Sequence, residues 1–284
     1  MRALGVVLGS PPVPQGSWER RAEYVSAVAL RRADRAPREV AEELAVRLRP
    51  LAGVRAVDVR ANGFLVIEVA VPGEIVREIL AEPLSPPRGA CEQGADEAGP
   101  WPDFPRTWDN PGFVVRYAYV RAGAVLRWAR DLGLWGVEGR RTGARDDDLG
   151  YEHDDHGFTA GESAGAPDHG RLDDHALSEP EHDAEACKPA VFRPEALADP
   201  RDRAVLRVLA ELPSRRESRD PGWQAYLERL AEAYHDAFEH APALPKGDEA
   251  PTAAHGARLW MAAAVRRVIG EGLTELRQTA PHKI

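Results

Sequence analysis

The sequence predicts an α+β N-terminal domain joined to an all-α helical bundle, and three patterns carry that expectation. Around Ala61-Asn62-Gly63, residues 57–59 and 64–71 alternate apolar and polar side chains, as the two arms of a hairpin do. Farther on, Trp223, Leu227, Leu230, Tyr234 and Ala237 recur every three or four residues, and so do Ala262, Val265, Ile269, Leu273 and Leu276, which is the core stripe of packed helices. Between the two regions, residues 81–109 are rich in Pro and Gly and read as a linker. A chain of 284 residues is long enough to hold two cores, so the domains are placed at residues 1–80 and 110–284.

Taken in order, the chain opens with a short apolar run, Val6–Leu8, and a Pro-rich turn, after which Tyr24–Leu30 reads as a helix. Pro37 suits the first position of the next helix, with Glu39, Glu42 and Glu43 near its positive end and Val40, Leu44 and Leu48 as its buried stripe. On the second hairpin arm, Leu65, Ile67, Val69 and Val71 share the core face, and Phe64, Val66 and Glu68 the other. A short amphipathic helix from Gly73 to Leu80 closes this half. The linker ends with Trp101, Phe104 and Trp108, an aromatic set suited to packing on a neighbouring domain. The bundle then begins with a helix over 113–130. Residues 141–190 combine acid, His, Gly and Ala with few large apolar side chains, too few to offset the entropy of ordering, and are expected to be a disordered acidic insertion. In the last helix Gly270 and Gly272 each cost about 1 kcal/mol relative to Ala.

The net charge of −9 is unevenly spread. Residues 146–187 hold fourteen Asp and Glu against one Arg, and residues 81–109 hold six against two, so the rest of the chain carries +8. Seven arginines against Asp131 and Glu138 lie between Asn110 and Arg145. Counted at 100° per residue, Arg116, Tyr119, Gly123, Arg127 and Arg130 project within one narrow sector of the first bundle helix. Guanidinium groups interleaved with an aromatic ring suit phosphates and an unstacked base, although a solvated arginine face has the same pattern.

Other chemistries find little support. No apolar run reaches the roughly 18 residues of a membrane span, and the N-terminal ten residues do not make a signal peptide, so a cytoplasmic protein is expected. Cys91 and Cys187 have no zinc-type spacing. His153, Asp154, Asp155, His156, Asp173, Asp174, His175 and His182 form a metal-ligand inventory without a scaffold to hold it. There is no Gly-rich phosphate loop with its Lys and no nucleophile–base set. Accordingly, no catalytic residue, cofactor or metal is assigned, and His235 is expected to pack or to cap.

The stretch NPGFVVRYAYVRAGAVLR (110–127) resembles the opening helix of the DALR-type anticodon-binding domain of arginyl-tRNA synthetases. The resemblance continues through LADPRDRAVLRVLAELP (197–213), YLERLAEAYHDAFEHAPALPKGDEAPT (226–252) and ARLWMAAAVRRVIGEGLTELRQTAPHKI (257–284). In the N-terminal half, AEYVSAVAL (22–30), APREVAEEL (36–44) and ANGFLVIEV (61–69) resemble the tRNA-elbow-binding domain of the same family, with Ala22 in place of its Gly and Ala27 in place of its Asn. In those enzymes a class I catalytic domain of a few hundred residues lies between the two regions, whereas here Pro83–Asp109 intervenes.

The resemblance implies a non-catalytic tRNA-binding protein, with an arginine tRNA as the ligand. It implies RNA contacts at Arg116, Tyr119 and Arg121, where the family carries Gln, His and Arg, and at Phe64, which matches the aromatic residue that engages a D-loop base. Val66 replaces the Asn that accompanies that residue. The helix pattern adds Arg127 and Arg130. Two alternatives stand beside this reading: an interaction protein that holds a synthetase or another protein, and the tRNA-binding subunit of a split enzyme.

Overall fold

The computed structural model describes residues 2–31, 35–83, 101–102, 104–135, 191–218 and 222–281. The expected disordered insertion at 141–190 and its His/Asp inventory lie outside the described residues, as does most of the linker.

A short helix, α1 (Arg2–Leu8), forms where the sequence shows only an apolar run, because Leu4 and Leu8, one turn apart, both reach the core. Strand β1 (Val13–Gln15) follows, then β2 (Ala22–Ser26) and a 3-10 turn over Val28–Arg31. The helix expected over Tyr24–Leu30 is therefore incorrect: the segment is a strand followed by a tight turn. Ala22, Tyr24 and Ser26 are buried alternately, and β2 is sandwiched between β1 and β4 (Leu65–Val69) in antiparallel pairing, Tyr24 opposite Ile67. That pairing satisfies the backbone groups of a segment too short to gain as much from a helix. Ser26 Oγ then accepts from the Val28 N–H at 3.4 Å where the chain leaves the strand.

Helix α2 (Pro37–Leu48) begins at Pro37 as expected and buries Val40, Leu44 and Leu48. The hairpin of β3 (Val54–Val59) and β4 turns at Ala61-Asn62-Gly63, with Gly63 at φ +85° and its N–H donating to Arg60 O at 2.9 Å. The sheet order is β1-β2-β4-β3, all antiparallel. Leu65 and Ile67 face the core, Val69 is partly buried, and Val71 lies beyond the end of the strand. Helix α3 (Glu74–Ala81) packs Ile75, Val76 and Ile79 inward.

The helical half comprises α4 (Pro111–Asp131), α5 (Pro200–Leu209), α6 (Leu212–Glu217), α7 (Trp223–His240) and α8 (Ala253–Glu275). The expected stripe of α7 is buried throughout, and that of α8 is buried except for Leu276, which is partly so. Thr252 and His255 form a capping box at the start of α8. Deep between α5 and α8, the fully buried Asp202 meets Arg258 Nε, with both carboxylate oxygens within 3.2 Å. One continuous cluster of buried apolar residues runs from Leu4 to Leu273, so the sheet half and the helical half share it.

Candidate nucleic-acid interface

Helix α4 starts under tight control. Asn110 Oδ1 accepts from the Gly112 and Phe113 N–H groups, its Nδ2 donates to the carbonyls of Pro102 and Pro105, and Pro111 fills the first turn. Trp101 lies directly against Gly112, where any Cβ would collide with it, and its indole N–H donates to Glu228 on α7. The aromatic end of the linker thus packs as expected at Trp101 and through one edge of Trp108, which is still 60% exposed, while Phe104 is 67% exposed.

The inward side of α4 carries Val115, Ala118, Ala122, Val125 and Ala129. The basic stripe lies along its border with α8, and its members differ. Arg127 and Arg130 are exposed and have no hydrogen bond or ion pair among the described residues. Arg116 donates to Gln278 Oε1 just past α8. Tyr119 is half-buried: Gly270 gives its ring room against α8, and the Arg266 guanidinium lies over the ring, 4.9 Å from its centroid. One face of the expected base-stacking ring is therefore occupied by an arginine. Arg266, from α8, joins a group that the α4 sequence alone does not contain.

Arg121 points to the other side of α4. It is 14% exposed, pairs with Glu239 at 2.8 Å, approaches His235 Nδ1 at 3.2 Å, and lies between the rings of Tyr117 and Phe238, 4.7 and 4.2 Å from their centroids. Its guanidinium is thus engaged mainly within the bundle. Phe113, Tyr117 and His235 stack in series, and Trp108 meets all three edge-on. The other imidazole nitrogen of His235 faces Val114 O at 3.0 Å, which places the proton on Nε2 and leaves Nδ1 to accept from Arg121. Burial, reinforced by the Arg121 charge, holds the His235 pKa below its ordinary value, so the ring is neutral. This arrangement packs His235 against α4 and ties the two helices by a hydrogen bond, which is packing as expected but not a cap.

Phe64 belongs to neither group. It sits at the hairpin end of β4 on the outer face of the sheet, beside the cross-strand row Val13–Val25–Val66–Asp58. A shallow depression there is lined by Gln15, Val25, Arg60, Asn62, Phe64 and Val66. Val66 is only 7% exposed, so the polar groups available beside the Phe64 ring are those of Gln15, Arg60 and Asn62. Among the described residues no group of three or more His, Cys, Asp or Glu side chains could hold a metal ion, and no helix is long and apolar enough to cross a membrane.

No family model and no solved structure matches this chain. Curated proteins do. An arginine–tRNA ligase from Clavibacter sepedonicus is 37% identical over 100 residues, covering 34% of this chain and 18% of the ligase. An arginine–tRNA ligase from Frankia alni is 32% identical over 184 residues, covering 63% of this chain and 24% of the ligase. The chain is thus similar to arginine–tRNA ligases over part of its own length, and it spans less than a quarter of theirs.

Proposed function

We propose that this chain is a non-catalytic tRNA-binding protein related to arginyl-tRNA synthetases, acting in the cytoplasm, with arginine tRNA as its first candidate ligand. One observation carries the reading: two arginines of the α4 stripe, Arg127 and Arg130, keep their positive charge uncompensated among the described residues. In the same bundle Arg121, Arg207, Arg215, Arg216, Arg229 and Arg258 all hold carboxylates. Arg127 and Arg130, by contrast, project into solvent with none among the described residues. An exposed row of free guanidinium groups attracts a phosphate backbone by releasing its counterions, and that term is independent of base sequence. The partial similarity to arginine–tRNA ligases supports tRNA as the polyanion.

Two modules bear the function in this reading: residues 1–80 as an elbow-binding domain, and residues 110–284 as a DALR-type anticodon-binding domain. Phe64 with its polar neighbours offers a platform for an unstacked base on the first. Arg127 and Arg130, supported by Arg116, provide the backbone contact on the second. Fewer than thirty residues stand between Glu82 and Asn110, too few for the nucleotide-binding domain that adenylate formation requires, which supports a binding role without aminoacylation.

The test is tRNA binding measured over a salt series. Replacing Arg116, Arg127 and Arg130 together by Gln lowers affinity for all tRNAs and flattens the slope of log affinity against log salt by about 0.7 to 0.9 for each phosphate no longer neutralised. Undiminished binding by the triple variant, or no binding by the unmodified chain at low salt, refutes the RNA reading and leaves a protein partner as the alternative.

A further inference from the structure

Arg127 on α4 and Arg266 on α8 converge over Gly123. A Cβ placed on Gly123 would lie 3.2 Å from Arg266 Nε and 3.4 Å from Arg127 Nη1, so the two guanidinium groups flank one point of α4. Neither has a hydrogen bond or ion pair among the described residues. Arg266 is held from its other side by the Tyr119 ring, and its Nε is buried without an acceptor. Arg127 is exposed and Arg266 half-buried; two like charges set side by side repel each other unless an anion lies between them. A pair of guanidinium groups with no carboxylate beside them among the described residues calls for an anion from outside the chain, met by their terminal N–H groups, since Arg266 Nε is itself covered.

We propose that Arg127 and Arg266 form a clamp for one phosphate group, with Gly123 as its floor and Tyr119 holding Arg266 in position. Guanidinium forks suit a phosphate because each can present two N–H donors to two of its oxygens, and the missing side chain at position 123 lets the two arginines come together against the helix surface. Resting on the RNA reading above, the source of that phosphate is a phosphodiester of the bound strand. A free phosphate ion presents the same chemistry, and the two sources are distinguishable.

A clamp differs from a basic stripe in one measurable respect, which is that two residues share a single phosphate. The experiment uses the full chain with Arg127→Gln, Arg266→Gln, the double variant, Arg266→Lys, and Arg130→Gln as a residue outside the clamp. Binding of tRNA is measured across a sodium chloride series, and thermal unfolding is followed in inorganic phosphate against chloride at matched ionic strength. Each single Gln variant lowers the salt slope by about 0.7 to 0.9, and the double variant lowers it by no more than either single. Arg130→Gln adds its own decrement. Inorganic phosphate raises the unfolding temperature of the unmodified chain but not of the double variant. Arg266→Lys, which keeps the charge and loses the fork, retains the salt slope and binds phosphate more weakly.

Additive losses in the double variant mean that each arginine serves its own phosphate, and they overturn the clamp. An Arg266→Gln chain that is folded in chloride, with slope and phosphate response unchanged, overturns it too while leaving the RNA reading intact. If Arg266→Gln does not fold, an unchanged phosphate response in Arg266→Lys and Arg127→Gln overturns it instead. Phosphate protection that requires both arginines, in a chain that binds no tRNA, supports the clamp and overturns the RNA reading. Neither protection nor tRNA binding in the unmodified chain overturns both.

Discussion

Arg121→Gln distinguishes a structural arginine from an RNA-binding one on the same helix. Arg121 is 14% exposed, and its replacement removes a 2.8 Å ion pair with Glu239, the contact with His235 and two cation–π contacts at 4.7 and 4.2 Å. A partly desolvated cation–π contact is worth about 0.5 to 2 kcal/mol. The ion pair adds less than about 1 kcal/mol, because Glu239 is 56% exposed and solvent screens it. The Gln side chain recovers part of the packing, so the expected loss is about 2 kcal/mol. Urea denaturation followed by far-UV circular dichroism measures that loss, and tRNA binding by the folded variant over a salt series measures the electrostatic footprint. The expected outcome is a lower urea midpoint with the salt slope unchanged. A slope reduced by about 0.8, with stability within a few tenths of a kcal/mol of the unmodified chain, would refute the reasoning by showing that the guanidinium leaves its aromatic slot to meet a phosphate.

Further expectations concern the core on which the interface rests. Arg258→Met leaves the fully buried Asp202 carboxylate without its partner and lowers stability by about 3 to 5 kcal/mol at neutral pH, measurable by urea denaturation. Gly272→Ala places a methyl 2.7 Å from both Leu227 methyls and destabilises by up to about 2 kcal/mol, overpacking outweighing the gain in helix propensity. Gly270→Ala meets only the Tyr119 ring edge at 3.3 Å and is neutral or stabilising by a few tenths, so reversed signs in thermal unfolding would show that α8 packs otherwise on α7 and on α4. His235 carries a pH dependence: its folded pKa is depressed below about 6.5, so the unfolded chain takes up a proton first and stability falls as pH drops below that value. His235→Gln removes this term, and the urea midpoint of the variant changes less between pH 7.5 and 5.5 than that of the unmodified chain. Glu82 and Glu211 do not confound the comparison, because burial raises their pKa values but their arginines more than offset it, which places their titration below about 4.5.

What the sequence made legible was periodicity. Helices α2, α7 and α8 announce themselves through apolar residues three and four apart, and Pro37 marks one start, whereas α4 begins two residues before the expected 113, at Pro111. The exception, β2, has apolar residues compatible with either period. Its conformation is decided by β4, some forty residues later, through a pairing that no local pattern contains. The arginines show the same limit. Along α4 the helical angle sets Arg121 apart from the stripe, but its structural role is decided by α7, which brings Phe238 and Glu239 to it. In α8, Arg266 and Arg267 are adjacent, yet the helical turn sends one over Tyr119 and the other to the carbonyls of Leu80 and Glu82. The local signal that could have singled out Arg266 is glycine: Gly270 lies one turn further along the same helix, and Gly123 occupies the facing stripe.

The contact between the sheet half and the helical half also bears on how the interface can be studied. Glu82, at the end of α3, accepts from both Arg2 and Arg216, and Arg216 also forms a bidentate pair with Glu271 on α8. Arg267 donates to the last carbonyls of α3, supplying the positive charge that a helix C-terminus favours. Arg207 on α5 reaches the Gly16 carbonyl at 2.9 Å, in the turn between β1 and β2. Cutting the chain near residue 83 would therefore uncover the side of α3 that packs on α5 and α8 on one piece, and deprive Arg216 of Glu82 and Arg267 of its carbonyl acceptors on the other. A loss of RNA binding by either piece would report the broken core rather than the missing surface. Point substitutions on α4 and α8 in the intact chain avoid this ambiguity, because Arg127 and Arg130 are exposed and Arg266 bears on Tyr119 of α4, none of them on α3.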